Sequence, residues 1–94
     1  MKIFNWSKEK NIWLKKNRGI SFEDVLFYLE NDGLLDDLEH PNKKKYPNQN
    51  IFVINIENYA CLVPYIESDT EIFLKTIIPS RKATSKYLEK KDEK

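Results

Sequence analysis

The apolar positions follow a helical period in the first third of the chain. Phe22, Val25, Leu26 and Leu29 recur at i, i+3, i+4 and i+7, which is the spacing of one buried helix face. Ser21 can cap this helix, with Asp24 at the spacing of a capping box, and the turn sequence at 31–33 ends it. The pattern therefore predicts a helix that starts after Ser21 and stops before Gly33.

An earlier helix is indicated by its two ends. Ser7 can cap a helix from about Lys8 to Asn17, and Gly19 fits the left-handed position that terminates one. The segment Ile3–Trp6, short and apolar, is consistent with a first strand. We expect Trp6 and Trp13 to lie in the core, with Trp6 against the first helix.

Beyond Gly33 the pattern is typical of strands. Three segments are rich in β-branched and aromatic residues, namely Ile51–Ile56, Tyr59–Ile66 and Glu71–Ile78. Because short loops of hairpin length separate them, they predict an antiparallel meander. Pro64 cannot donate to the strand ladder, so we expect either a bulge there or a side without a partner strand.

The remaining segments complete a small α+β domain. Leu34–Glu39 is charged and predicts at most an edge strand, and residues 40–50 predict a loop. A closing helix is expected from Ser80 to about Lys91, with Tyr87 and Leu88 turned inward and residues 90–94 frayed. We therefore expect one domain over residues 1–94, with the short first strand, two helices, an antiparallel meander of three to four strands and a closing helix. The helices would cover one sheet face and leave the other partly open.

Composition narrows the classes of function. The 94 residues are 40% hydrophobic and 33% charged, and no apolar run approaches the about 20 residues that span a bilayer. The start of the chain does not resemble a signal peptide, so we expect a cytoplasmic protein. Cys61 and His40 are the single cysteine and histidine. An intramolecular disulfide and a metal-ligand cluster are therefore excluded, and we expect no metal or cofactor.

The net charge of +1 conceals an uneven distribution. Basic residues dominate Lys8–Arg18, acidic residues dominate Glu23–His40, and basic residues return in Lys43–Lys45 and after Lys75. This asymmetry predicts one basic and one acidic face, which would permit an RNA ligand. The alternative is a set of solvated surfaces without a partner.

Three segments, taken in order, resemble the BrnT family of toxins. Phe4-Asn5-Trp6 is followed by Lys10, then by Arg18-Gly19-Ile20-Ser21-Phe22-Glu23, and the chain closes with Ile77-Ile78-Pro79-Ser80-Arg81-Lys82-Ala83-Thr84. The chain departs from the family pattern at several polar positions, among them Leu14, Arg18, Asn50 and Thr76. The resemblance implies a RelE-like fold and the toxin role in a type II toxin–antitoxin system.

The resemblance also implies a reaction and two partners. The reaction is endoribonuclease cleavage, in which the 2′-hydroxyl of the RNA substrate attacks the neighbouring phosphate without a metal. It needs a proton acceptor, a proton donor and fixed cations. The second partner would be a cognate antitoxin protein, commonly with a DNA-binding part. The strip Glu23–Leu38 could contribute its docking surface.

Four residues are candidates for catalysis. Arg81 stands at the family's arginine position and could bind phosphate through its planar fork; alternatively it pairs with a carboxylate of the second helix. Arg18 could also hold phosphate, or only complement the dipole of the first helix. Lys75 could reach the open sheet face or be a solvated side chain. Tyr65 could stack on a base or donate a proton, or simply pack in the core.

A second group is expected to bind RNA. Its members are Lys82, Lys43, Lys44, Lys45, Tyr46 and His40. His40 is also a formal candidate base, because its pKa is ordinarily near neutrality, although an exposed loop histidine is the simpler alternative. Two other functions stay open at this point. One is a RelE-like protein-binding module that has lost catalysis, and the other is a nucleic-acid-binding protein without enzymatic activity.

Overall fold

The computed structural model describes residues 2–89, and the predicted frayed tail at 90–94 lies outside them. Its elements are β1 (Ile3–Trp6), α1 (Lys8–Arg18), α2 (Phe22–Glu30), β2 (Leu34–Glu39), β3 (Gln49–Ile56), β4 (Tyr59–Glu67), β5 (Glu71–Leu74), β6 (Ile78–Pro79) and α3 (Arg81–Tyr87). The predicted α+β class is confirmed. Within this range no helix is long and apolar enough to cross a membrane.

Side-chain caps define where α1 and α2 begin. Ser7 Oγ accepts from the Lys10 N–H at 3.2 Å, and Gly19, with φ of 67°, ends α1 in the left-handed conformation. Ser21 and Asp24 form the predicted capping box, each side chain accepting from the other's backbone N–H at 3.1 and 2.9 Å. Both helices therefore start where their sequence signals place them.

The sheet is larger than predicted, and it is mixed. Within residues 2–89 it has six strands, in the order β1-β5-β4-β3-β2, with β6 paired to β4. The predicted meander is present as β3, β4 and β5, and β2 is an edge strand as expected. With β2, the antiparallel part has four strands, as predicted, and β1 joins it parallel to β5, a pairing that the sequence did not predict. The composition of β1 indicates a strand but carries no signal for its partner.

Pro64 explains why the predicted strand Glu71–Ile78 is divided into β5 and β6. β4 pairs with β3 in regular register through Pro64, and the Pro64 carbonyl accepts from the Lys75 N–H at 2.8 Å. The backbone nitrogen of Pro64 therefore faces the same segment as its carbonyl, and it has no N–H to donate to a partner strand there. One extra residue therefore lies between β5 and β6. The β5 register would pair Leu62 with Ile77, whereas Leu62 pairs with Ile78.

The helices lie on both faces of the sheet, contrary to the prediction that they share one. α1 and α2 pack on a large core that includes Leu14, Phe22 and Val25. α3 lies on the opposite face, over a smaller cluster of Val53, Ala60 and Ala83, with Leu35, Leu62, Tyr87 and Leu88 packed against it. Neighbouring β3 positions are apolar on both faces, so each face needs a cover. Leu38 and Ile66 remain exposed on the α3 face.

A buried polar residue connects the first two helices. Asn11 is 6% exposed. Its Oδ1 accepts from the backbone N–H of Phe22 at 2.8 Å, and its Nδ2 donates to Glu23 Oε1 at 2.9 Å. Asn11 therefore satisfies an unpaired N–H in the first turn of α2 and fixes this helix against α1.

Candidate functional site

The predicted site residues divide between the two ends of the β3–β4 hairpin. Arg18 and Arg81 lie toward its turn, next to the segment that pairs with the start of β4. Tyr65 and the loop that joins β2 to β3, which contains most of the predicted RNA-binding residues, lie at the other end. The eight residues of β3 span roughly 25 Å at the usual rise per residue. The structure therefore does not bring the predicted residues into one site.

The loop end of the hairpin holds a polar cleft of about 430 Å³. Its charged lining residues are Asp37, Glu39, Glu67 and Asp69, against Lys2 and Lys43. Lys2 forms an ion pair with Glu67, and Lys43 Nζ donates to the Pro47 carbonyl at 3.2 Å. Both lysines of this cleft therefore already bond to oxygen atoms of the protein.

The loop itself uses several of its candidate residues internally. His40 Nδ1 accepts from the Asn42 N–H at 3.0 Å, and its ring packs on Tyr46 with the centroids 4.4 Å apart. Lys45 Nζ lies 5.5 Å from the Tyr46 ring, and Lys44 is exposed. These contacts order the loop and leave His40 with one ring nitrogen for other partners.

Tyr65 is a core residue. It is 2% exposed and stacks on Phe52 with the ring centroids 3.9 Å apart. Its hydroxyl donates to Asp37 Oδ1 at 2.7 Å. Burial, and then the hydrogen bond to Asp37, raise the pKa of Tyr65 far above its usual range. These contacts agree with the packing alternative and remove the residue from contact with a solvent-borne substrate.

Three further candidates are exposed cations, namely Lys75, Arg81 and Lys82. Arg81 is the first residue of α3, directly after the capping residue Ser80. It does not pair with a carboxylate of α2, because α3 lies on the opposite face of the sheet, and it forms no ion pair within residues 2–89. Lys82 lines a shallow apolar groove between α3 and β2.

Arg18 lies at the rim of a pocket of about 240 Å³, here called the Arg18 pocket. The lining residues are Arg18, Gly19, Ile20, Asp24, Tyr28, Ile56, Glu57, Tyr59, Cys61 and Pro79. A guanidinium nitrogen of Arg18 donates to the Ile77 carbonyl at 2.8 Å, and its carbon atom Cζ lies 5.4 Å from the centroid of Trp13. The guanidinium is therefore held in place with donors left over for a ligand.

Two polar pocket residues that matter for the chemistry, Glu57 and Tyr59, were missed from the sequence. Glu57 and Asn58 form the β3–β4 turn with φ of 53° and 67°, the positive values of the turn that matches strand twist. Glu57 thereby lies beside Tyr59, which is 39% exposed. Glu57 forms no ion pair with Arg18 in the described chain, so both charged groups can meet a ligand. The two-residue loop predicted this turn, whereas its proximity to Arg18 depends on packing between β3 and α1.

The Arg18 pocket combines the groups that metal-independent phosphodiester cleavage requires. Arg18 offers a fixed cation, Glu57 a carboxylate that can accept a proton, and Tyr59 a phenol that can donate one. Cys61 at its floor is buried, which raises the pKa of the thiol, and the nearby charge of Arg18 acts in the opposite direction. Residues 2–89 contain no group of three or more potential metal ligands.

The surface of α1 also differs from the prediction. Trp13, expected in the core, is 44% exposed, because the buried positions of α1 are Asn11 and Leu14. The charges do not separate into a basic and an acidic face either. Basic α1 and acidic α2 lie side by side over one sheet face, where Lys15 Nζ and Glu23 Oε1 are 3.9 Å apart.

No family model, no curated protein and no solved structure matches this chain. The resemblance to BrnT toxins therefore depends on the three ordered sequence segments.

Proposed function

We propose that this protein is the toxin of a type II toxin–antitoxin pair, with a RelE/BrnT-like fold, and that it cleaves RNA in the Arg18 pocket. The observation that carries this proposal is that one pocket of about 240 Å³ is lined by an anchored guanidinium, an unpaired carboxylate and an exposed phenol. The BrnT-like order of the sequence segments supports it. The activity would be cytoplasmic, where its RNA substrate is found.

The three residues take separate roles in the reaction. Glu57 accepts the proton of the 2′-hydroxyl as its oxygen forms a bond to phosphorus. Arg18 binds the phosphate oxygens, on which charge accumulates. Tyr59 donates a proton to the 5′-oxygen as the bond from phosphorus to that oxygen breaks. The products are a 2′,3′-cyclic phosphate and a free 5′-hydroxyl. Arg81 follows the pocket residue Pro79 by two residues without lining the pocket, and its proposed role is to bind a neighbouring phosphate of the strand.

The antitoxin would bind the strip Glu23–Leu38. This strip is acidic and exposes two large apolar side chains on the α2 side of the sheet, Phe27 at 58% and Leu34 at 43%, while Leu38 lies on the α3 face. A partner with an apolar face and a basic rim would be complementary to it. Binding at α2 and β2 would also shield the adjacent Arg18 pocket, which contains Asp24 and Tyr28 of α2.

Cleavage by the purified protein tests the catalytic roles. The substrate is a single-stranded RNA of about 12 nucleotides in buffer with EDTA, and mass spectrometry identifies the product ends. We expect cyclic-phosphate ends, and none when the 2′-hydroxyl at the cleaved position is replaced by hydrogen. Glu57→Gln should reduce the rate about 100-fold, the usual scale for a lost general base. Glu30→Gln, an exposed carboxylate at the end of α2, should cleave like the wild type.

Expression in a bacterial host tests the role of Arg81. Induction of the wild type should stop growth and fragment total RNA, whereas Arg81→Ala should do neither while remaining folded by circular dichroism. Lys86→Ala, an exposed cation on the same helix, is the matched control and should stay toxic. A folded, fully toxic Arg81→Ala variant would remove Arg81 from the site.

A second candidate function is a RelE-like binding module without catalysis. The burial of Tyr65 and the separation of the predicted residues between two ends of the hairpin favour it. Intact RNA after incubation with soluble wild-type protein, together with capture of an antitoxin-like partner, would decide for this alternative.

A further inference from the structure

Trp13 has an unusual position for a large aromatic residue. It lies on the outer surface of α1 and is 44% exposed, beside Ile12 at 59%. The Leu14 side chain on the opposite side of the helix is fully buried. A single exposed apolar residue needs no explanation, so a role for Trp13 depends on what surrounds its ring.

Two cations flank the Trp13 ring. Lys10 Nζ lies 4.7 Å from its centroid and Arg18 Cζ lies 5.4 Å from it. Lys10 is one helical turn before Trp13, and Lys16 follows Trp13 at the same spacing, so these side chains share one stripe of α1. The exposed Trp13 ring therefore has positive charges close enough to bind the phosphates on either side of a base stacked on it.

This combination matches the chemistry of single-stranded nucleic acid. Bases stack on exposed aromatic rings, and the phosphates that join them bind lysine and arginine. α1 contains five basic residues, Lys8, Lys10, Lys15, Lys16 and Arg18, against the single acidic residue Glu9. Only Lys15 among them lies within ion-pair distance of a carboxylate in the described chain. A paired RNA helix would present no free base face to Trp13.

Arg18 connects the exposed ring to the Arg18 pocket. One guanidinium contacts Trp13, donates to the Ile77 carbonyl and lines the pocket. A strand with one nucleotide in the pocket would therefore reach Trp13 with the next, across the phosphate held by Arg18. The Arg18 guanidinium thus lies next to the exposed Trp13 ring and also lines the pocket, which places the two binding surfaces side by side.

We infer that Trp13 is a stacking platform for one base of a single-stranded RNA, with Lys10 and Arg18 binding the flanking phosphates. The inference rests on the proposed function in one respect, since the RNA it positions is the strand cleaved in the Arg18 pocket. Stacking itself requires no cleavage, so binding can be measured independently of the reaction.

The experiment is a fluorescence-anisotropy titration of a labelled 12-nucleotide RNA with 2′-O-methyl groups, which blocks attack by the 2′-oxygen. We expect Trp13→Ala to weaken binding about tenfold, the scale of one lost base–aromatic stack. Ile12→Ala, which removes a neighbouring exposed apolar side chain, should bind like the wild type. A second titration follows intrinsic fluorescence in a Trp6→Phe background, where Trp13 is the single tryptophan and should be quenched by the RNA.

The outcomes separate the two proposals. Equal RNA affinity of Trp13→Ala and wild type would overturn the platform and leave the proposed function standing. Absence of RNA binding by the wild type would overturn both. Quenching of Trp13 by poly-glutamate but not by the RNA would overturn the platform in favour of an acidic protein partner. Weakened binding by Trp13→Ala together with uncleaved unmodified RNA would establish the platform and refute the nuclease.

Discussion

On one face of the sheet, α1 and α2 contribute the fully buried residues Leu14, Phe22 and Val25, whereas on the other face the buried residues of α3 itself are only Ala83 and Thr84. The first face is held by interdigitated apolar side chains. The second combines a smaller apolar cluster with polar contacts, such as the hydrogen bond from the Ala60 N–H to Thr84 Oγ1 at 2.9 Å. Stability should therefore depend mainly on the α1–α2 face, and α3 should open locally at lower cost.

The largest expected effect tests the α1–α2 face directly. Phe22 is fully buried and stacks on Trp6 with the ring centroids 5.6 Å apart. Phe22→Ala should lower the free energy of unfolding by about 3–5 kcal/mol, the usual cost of deleting a buried ring. Urea denaturation measures it, with Phe22→Leu as a milder variant if the alanine variant does not fold.

Phe27→Ala is the matched control for this substitution. Phe27 is on the same helix but 58% exposed, so its loss should change stability by less than about 0.5 kcal/mol. Comparable losses for the two phenylalanines would refute the account of α2 as a helix with one buried face.

A smaller effect is expected from the polar contact within the same face. Asn11→Ala leaves the buried N–H of Phe22 without its acceptor and removes the donor to Glu23. The expected loss is about 2 kcal/mol, within the range for an unsatisfied buried group. Asn17→Ala, which removes an exposed hydrogen bond to the Trp13 carbonyl, is the control and should cost much less.

Asn11→Ala should also change how the free energy of unfolding depends on pH in acid. The Asn11 hydrogen bond, ahead of the backbone contact, lowers the pKa of Glu23 below 4.5. The ionised form is thus favoured by folding, so this stabilisation is complete above the unfolded pKa and is lost as the pH falls through the folded pKa. Asn11→Ala should flatten stability against pH below about 4.5. An unchanged slope there would show that the contact does not bias Glu23.

The smallest effect is expected on the α3 face. Tyr87→Phe removes the hydrogen bond from the Tyr87 hydroxyl to Asp36 Oδ2 at 2.6 Å, and should lower stability less than either Phe22→Ala or Asn11→Ala because both groups are accessible to water. Hydrogen exchange should nevertheless accelerate at the Leu88 amide, which donates to the Thr84 carbonyl. A loss as large as that of Phe22→Ala would show that the two faces contribute equally.

This contact also has a defined pH window. The hydrogen bond to Tyr87 lowers the pKa of Asp36 below 3.8, and the bond to Asp36 raises the pKa of Tyr87 above 10.0. The contribution of this hydrogen bond to stability is complete between pH 3.8 and pH 10.0. It is lost as the pH falls through the folded pKa of Asp36 or rises through that of Tyr87. The difference between Tyr87→Phe and wild type should therefore disappear at both extremes.

The elements of this protein follow from local sequence. The capping box of Ser21 and Asp24 and the i, i+3, i+4 spacing after it determine α2, because both act within two helical turns. The same holds for Gly19 at the end of α1 and for the charged edge strand β2. Pro64 predicted an irregularity in strand pairing for a local reason too, because its missing N–H affects any strand that pairs on the side its nitrogen faces.

Tertiary structure alone decided which elements meet. The partner of β1, the sheet face that α3 covers and the exposure of Trp13 depend on contacts between residues far apart in the chain. The candidate site shows this most clearly: Glu57 and Tyr59 line the same pocket as Arg18, although about 40 residues of chain separate Arg18 from Glu57. Periodicity and capping report on a residue's immediate neighbours, whereas a binding pocket forms from side chains that only the packed core brings together.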